Sequence, residues 1–156
     1  SASPTRTSTG STCRVAEGLA PVIKIRDIDH VVIRVRDLER MIDFYCGALG
    51  CALEWRRDDL GLVHLRAGRS LIDLVPVDGP QGRRGGAAPG AEGRNMDHLC
   101  LRVEPFDQDA IVAHLESRGA RIGKIAPRYG ADGKGPSIYV HDPEDNVVEL
   151  KGPPEA

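Results

Sequence analysis

The 156-residue sequence has no apolar run near the ~20 residues that span a bilayer, so no transmembrane helix is expected in it. It has no polybasic run, its arginines are scattered, and its net charge is −2, so it lacks the electrostatic footprint of a nucleic-acid binder. The four cysteines, Cys13, Cys46, Cys51 and Cys100, form no CxxC pair and no paired framework. They read as reduced thiols of a cytoplasmic protein. Residues Ser1 to Leu19 lack the apolar core of a secretory signal and read as a disordered tail. The alternative there is a transit-like segment, on Arg6 and Arg14.

What the chain does contain is one phrase, twice. Asp29-His30-Val31-Val32-Ile33-Arg34-Val35 returns as Asp97-His98-Leu99-Cys100-Leu101-Arg102-Val103, an offset of 68 residues between His30 and His98. Alternation in a strand sends Val31, Ile33 and Val35 to one face and His30, Val32 and Arg34 to the other. The second copy divides in the same way. Each phrase leads into a helical stripe, the first capped by Asp37 and closed by Gly50, the second carried by Ile111 and Leu115 and closed by Gly119. Three further strands follow each helix, so the order β-α-β-β-β is expected twice. The expected organisation is a flexible tail over 1–24, a first βαβββ module over 25–78 and a glycine-rich linker over 79–94. A second module over 95–152 and a short tail over 153–156 complete it. Arg128 to Gly135, with three glycines, reads as a loop.

Each module's last strand holds a carboxylate inside an apolar run: Asp73 in Leu71-Ile72-Asp73-Leu74-Val75, and Glu149 in Asn146-Val147-Val148-Glu149-Leu150. A charge there is costly unless it is paired or bound to metal. His30, Asp73, His98 and Glu149 together make a divalent-metal donor set of imidazole nitrogen and carboxylate oxygen. Either histidine alone reads as an ordinary strand histidine held by its own module's carboxylate. Four residues in equivalent places of two repeats favour the metal. Symmetric hairpin closure sets Tyr139 across from Glu149 and His64 across from Asp73. Tyr139 is then placed to hydrogen-bond Glu149 or donate a proton near the metal. His64 is placed to orient Asp73 or replace it as a ligand. For both, a packed amphipathic side chain is the plain alternative.

These motifs resemble the vicinal oxygen chelate superfamily, which includes glyoxalase I, extradiol dioxygenases and the fosfomycin- and bleomycin-resistance proteins. The likeness covers residues 25–152. It rests on Asp29-His30 with Arg34-Val35, on Asp37 to Tyr45 with Leu49-Gly50, and on Asp142-Pro143-Glu144-Asp145-Asn146-Val147-Val148-Glu149-Leu150. The resemblance implies an α+β fold of two βαβββ modules whose mixed sheets curl into a cup around a metal site. It puts His30, His98 and Glu149 on metal positions and Asp73 where glyoxalase I has a glutamate, one methylene longer. It puts Arg34 on an arginine that contacts the glutathione part of the substrate, whereas Val77 stands about where a polar glutathione contact is expected. The stretch Pro127 to Tyr139 resembles a glyoxalase-domain branch that does not reliably carry glyoxalase activity. Many small members pair as homodimers, each site built from module 1 of one chain and module 2 of the other.

The function expected from these readings is a metal-dependent, glyoxalase-like lyase or isomerase acting by enediolate chemistry on a small substrate with adjacent oxygens. One divalent metal per site is expected, Ni, Zn, Co, Mn or Fe. Glu149 is the candidate base and Tyr139 a second catalytic candidate. Arg34, Arg102 and Arg128 are candidates to hold the anionic part of the substrate. One alternative is an iron(II) ring-cleaving dioxygenase using His30, His98 and Glu149 with Tyr139 nearby. The other is a drug-binding or resistance protein without chemistry. No nucleic-acid or membrane partner is expected.

Overall fold

The structure, a computed structural model, describes residues 22–155. The tail read at Ser1 to Leu19, with Cys13, lies outside them. Strand β1 (His30–Val35) is followed by helix α1 (Leu38–Asp43), which runs directly into a π-helical turn, Phe44–Ala48. Strands β2 (Ala52–Arg57), β3 (Leu62–Ala67) and β4 (Ser70–Pro76) complete the first unit. Alternating residues before β1 suggest a strand from Ile23, but pairing begins only at His30, and Ile23, Ile25 and Ile28 are exposed. Asp37 caps α1 by accepting from Arg40 N at 3.1 Å, and Gly50 leaves the helix with φ +76°, a conformation that favours glycine.

The second unit holds β5 (Leu99–Arg102), α2 (Gln108–Ser117) and β6 (Arg121–Ile125). The stretch read as a glycine loop is instead a separate hairpin, β7 (Arg128–Gly130) with β8 (Gly133–Gly135). Strands β9 (Ser137–His141) and β10 (Val147–Lys151) follow. None of the described helices is long and apolar enough to cross a membrane.

The two units form separate four-stranded mixed sheets, β1-β4-β3-β2 and β5-β10-β9-β6. In each, the first strand runs parallel to the last, and the other pairs are antiparallel. Both sheets are open, with edge strands at each end, so the expected cup around a metal site is not formed. The reason lies in the packing. Ile33, Leu65 and Leu74 of the first sheet, Ile138, Val140 and Val148 of the second, Tyr45, and Leu115 of α2 share one core. Burying both apolar faces in one core leaves each polar face on its far side.

A polar clamp reinforces this arrangement. Tyr45 donates from its hydroxyl to Asp142 Oδ2 at 3.0 Å. Glu144, at the tip of the β9–β10 hairpin, accepts from Arg36 N and Asp37 N at 2.7 Å each, at the start of α1. Asn95 Nδ2 donates to Arg34 O at 2.9 Å and to Asn146 Oδ1 at 3.1 Å.

Candidate metal and active site

The register fixes what each polar face presents. In the first sheet Val32 pairs with Asp73, Asp73 with His64, and His64 with Trp55, so these four form one row across the strands. In the second, Cys100 pairs with Glu149, and Glu149 with Tyr139. His98 immediately precedes β5 and lies two residues before Cys100, on the same face.

The module 2 residues converge. His98 Nε2 lies 3.3 Å from Glu149 Oε2, and Glu149 is 4% exposed. Glu149 Oε1 accepts from the hydroxyl of Ser137 at 2.6 Å. Ser137 was not singled out from sequence. Its signal was available, since period-two alternation puts it on the face of Tyr139, and it is a small polar residue opening an apolar strand. Among the described residues Tyr139 makes no hydrogen bond to Glu149. Its ring lies between the Arg128 guanidinium, 3.7 Å from the ring centre, and the His98 ring, 5.5 Å centre to centre. Burial, then the Glu149 carboxylate, pushes the Cys100 thiol up to about 11.

Module 1 assembles a second, separate pair. His64 Nδ1 lies 2.7 Å from Asp73 Oδ1, with Asp73 buried and the Trp55 ring stacked on His64 at 5.8 Å. His30 makes no contact with Asp73 within bonding distance. Its ring is raised in proton affinity by its hydrogen bond to Asp29 and, less, by the charges of Asp73 and Asp29.

The aspartate of the repeated phrase acquires a role here. Asp29 Oδ1 lies 2.7 Å from His30 Nδ1, and Asp97 Oδ1 lies 2.5 Å from His98 Nδ1. A carboxylate only accepts, so each Nδ1 carries a proton, and Nε2 is the ring nitrogen left for a metal. Metal-binding histidines are characteristically held in this way. The donor chemistry therefore fits a divalent metal. Within one chain, however, the four donors do not meet: no group of three or more His, Cys, Asp or Glu side chains among the described residues is placed to hold a metal ion. The clefts of about 870 and 420 Å³ lie at the junction of the units and contain none of His30, Asp73, His98 or Glu149.

The three arginines are all engaged. The Arg34 guanidinium donates to the carbonyls of Gly85, Ala87 and Gly86 at 2.9, 3.0 and 2.8 Å. A side chain at Gly85 would come within 2.5 Å of that guanidinium and force it to shift. Arg102 pairs with Asp132 at 2.6 Å. Arg128 donates to Ser137 Oγ at 2.9 Å and to Ala126 O at 3.2 Å.

The model of the Glyoxalase/Bleomycin resistance protein/Dioxygenase superfamily matches residues 27–150. The chain belongs to this superfamily. A glyoxalase domain-containing protein of Mycosarcoma maydis is 30% identical over 139 residues, 82% of this chain and 69% of that protein. Mitochondrial methylmalonyl-CoA epimerase of Bos taurus is 26% identical over 140 residues, 86% of this chain and 78% of that protein. Among solved structures, a virulence protein from Salmonella typhimurium superposes with a TM-score of 0.70 at 26% identity, covering 84% of this chain and 99% of that one. A fosfomycin resistance protein from Listeria monocytogenes, complexed with Mn(II) and sulfate, shares the fold with a TM-score of 0.62 at 16% identity, covering 83% and 92%. The superfamily is one of enzymes, and the Listeria protein holds a metal.

Proposed function

We propose that the chain is a metal-dependent lyase or isomerase of the glyoxalase and epimerase kind, moving a proton at a carbon beside a carbonyl. Its working site forms between two copies of the chain. The observation that supports this reading best is the pairing of a buried carboxylate oxygen, Glu149 Oε2, with His98 Nε2 at 3.3 Å. An equivalent but separate histidine–carboxylate face stands on the other sheet. His30 and Asp73 of one chain with His98 and Glu149 of its partner complete the donor set that a single chain leaves divided. The metal, when bound, supplies Lewis-acid polarisation of adjacent substrate oxygens and so acidifies the neighbouring carbon.

The protein's own groups do the rest. Glu149 is the base: it would accept the substrate proton at Oε2, the oxygen that Ser137 does not occupy, once substrate oxygens take the place of that oxygen at the metal. Asp29 and Asp97 hold the histidine tautomers. Arg102, on the same face, takes an anionic substrate group by exchanging it for the Asp132 carboxylate. Arg34 and Arg128 serve as scaffold, because backbone carbonyls hold both. The likeness to an epimerase of an acyl-CoA thioester supports an acidic carbon beside a thioester or ketone as the reacting centre.

Deuterium exchange from solvent is the direct test. The chain loaded with Ni, Zn, Co or Mn is offered methylmalonyl-CoA, and separately the hemithioacetal of methylglyoxal and glutathione. Exchange at the acidic carbon is expected with one of them. Glu149→Gln is expected to slow it roughly 10²–10⁴-fold. A metal-loaded chain that exchanges neither substrate overturns the reading.

A further inference from the structure

We infer that Ser137, backed by Arg128, is a positioning residue that ties down one oxygen of Glu149, so that the carboxylate offers a single oxygen, Oε2, to the metal. The inference rests on the proposed metal site and concerns how that site is held. Hydrogen-bond direction decides it. A guanidinium donates and cannot accept. Arg128 lies 2.9 Å from Ser137 Oγ, so the serine oxygen is the acceptor there and its proton is free for Glu149 Oε1 at 2.6 Å. The relay runs one way, from Arg128 to Ser137 to Glu149, and each bond polarises the next.

The relay is also rigid. Ser137 is wholly buried. Arg128 is fixed by Ala126 O at 3.2 Å and Lys124 O at 3.3 Å, and it lies against the Tyr139 ring. With Oε1 occupied inside the sheet, Oε2 is the oxygen left beside His98 Nε2 at 3.3 Å. Module 1 repeats the device with a different donor, since His64 Nδ1 occupies Asp73 Oδ1 at 2.7 Å. In both sheets the neighbouring strand claims one oxygen of the last-strand carboxylate and leaves the other. Single-oxygen binding keeps coordination positions open for a substrate with two adjacent oxygens, which a bidentate glutamate would fill.

Co(II) titration tests this in the full chain, read by its visible absorption and by the binding isotherm, without substrate. Ser137→Ala frees Oε1; it is expected to bind Co(II) roughly 10–100-fold more weakly than wild type and to change the visible band. Ser137→Thr keeps the hydroxyl and is expected to restore both. Arg128→Lys, which keeps a charge but loses the planar fork, is expected to fall between them. Thermal melts of the metal-free variants confirm that each is folded. An Ala variant with wild-type affinity and spectrum overturns the positioning role while leaving the metal site standing. A wild-type chain that takes up no Co(II) overturns the metal reading and this inference with it.

Discussion

Tyr45 shows how much one side chain joins in this molecule. It is wholly buried and reaches from the first unit to Asp142 of the second, with its hydroxyl 3.0 Å from Oδ2. Burial, and then the Asp142 charge, raise the phenol well above its ordinary range. An unfolded tyrosine titrates near pH ~10. The folded state therefore keeps a proton that the unfolded state gives up. The stability tied to this proton is fully present below about pH 10 and is lost as pH rises beyond it, by at most ~1.4 kcal/mol per pH unit. The Cys51 thiol, pushed up to about 11 by burial, adds a loss that starts nearer pH ~9. Denaturant unfolding from pH 7 to 11 should show Tyr45→Phe about 1–2 kcal/mol less stable at neutral pH, because Asp142 loses one donor but keeps Glu144 N, Asn146 N and Asn146 Nδ2. Above pH 10 the variant should decline less steeply than wild type; an identical alkaline slope would show that this phenol is not linked to folding. Tyr45 was legible in the sequence only as one member of a helical stripe. Its partner lies 97 residues away, and no local pattern joins the two. The same limit hid the capture of Arg34 by carbonyls of the linker, whereas Glu149 and Asp73 stood out because each is a charge in an apolar strand.

Elements were read well where a period existed. Alternation located the strands of both sheets to within a few residues except at the start of β1, read from Ile23 but paired only from His30, and Asp37 with Gly50 bounded α1 and the π-helical turn after it through local capping chemistry. The β7–β8 hairpin had no such period. Its glycines look like loop residues, yet they permit close packing: a side chain at Gly130 would come within 2.5 Å of Lys151 Cε. What makes the segment a hairpin against the sheet is Lys151 of β10, 3% exposed, whose ammonium donates to Arg128 O and, at 3.3 Å, to Gly135 O. One lysine thus grips both strands of the hairpin, while the Arg102–Asp132 pair holds its exposed tip. Lys151→Met keeps the apolar stem and removes the donors, leaving two carbonyls to find water at a cost of about 1–3 kcal/mol. Amide exchange over residues 128–135 is expected to quicken at least tenfold, the equivalent of about 1.4 kcal/mol of easier opening, with β1 to β4 unchanged. Uniform acceleration across both sheets would instead make Lys151 a general core residue.

At the scale of the whole molecule, the sequence offered a duplication and a divided donor set but not the way the halves are joined. The linker is long enough for several arrangements, and the choice is made by contacts it does not contain: the Glu144 tip at the start of α1, Asn95 between Arg34 and Asn146, and one core shared by both apolar faces. That docking is what leaves His30 with Asp73 on one face and His98 with Glu149 on another. A site between chains has a consequence that a site within one chain does not. His30→Ala damages the module 1 half and Glu149→Ala the module 2 half, and each variant alone should be inactive and bind metal poorly. When the two are mixed after brief denaturation and refolding, half of the randomly formed pairs contain one chain of each kind. In such a pair one site carries both lesions and the other carries neither. The mixture should therefore recover about one quarter of the wild-type deuterium exchange and tightly bound Co(II), following from two sites per pair and random assortment. Recovery near that fraction places the chemistry between chains. If each chain held its own complete site, every site in the mixture would keep one lesion, and mixing would restore nothing.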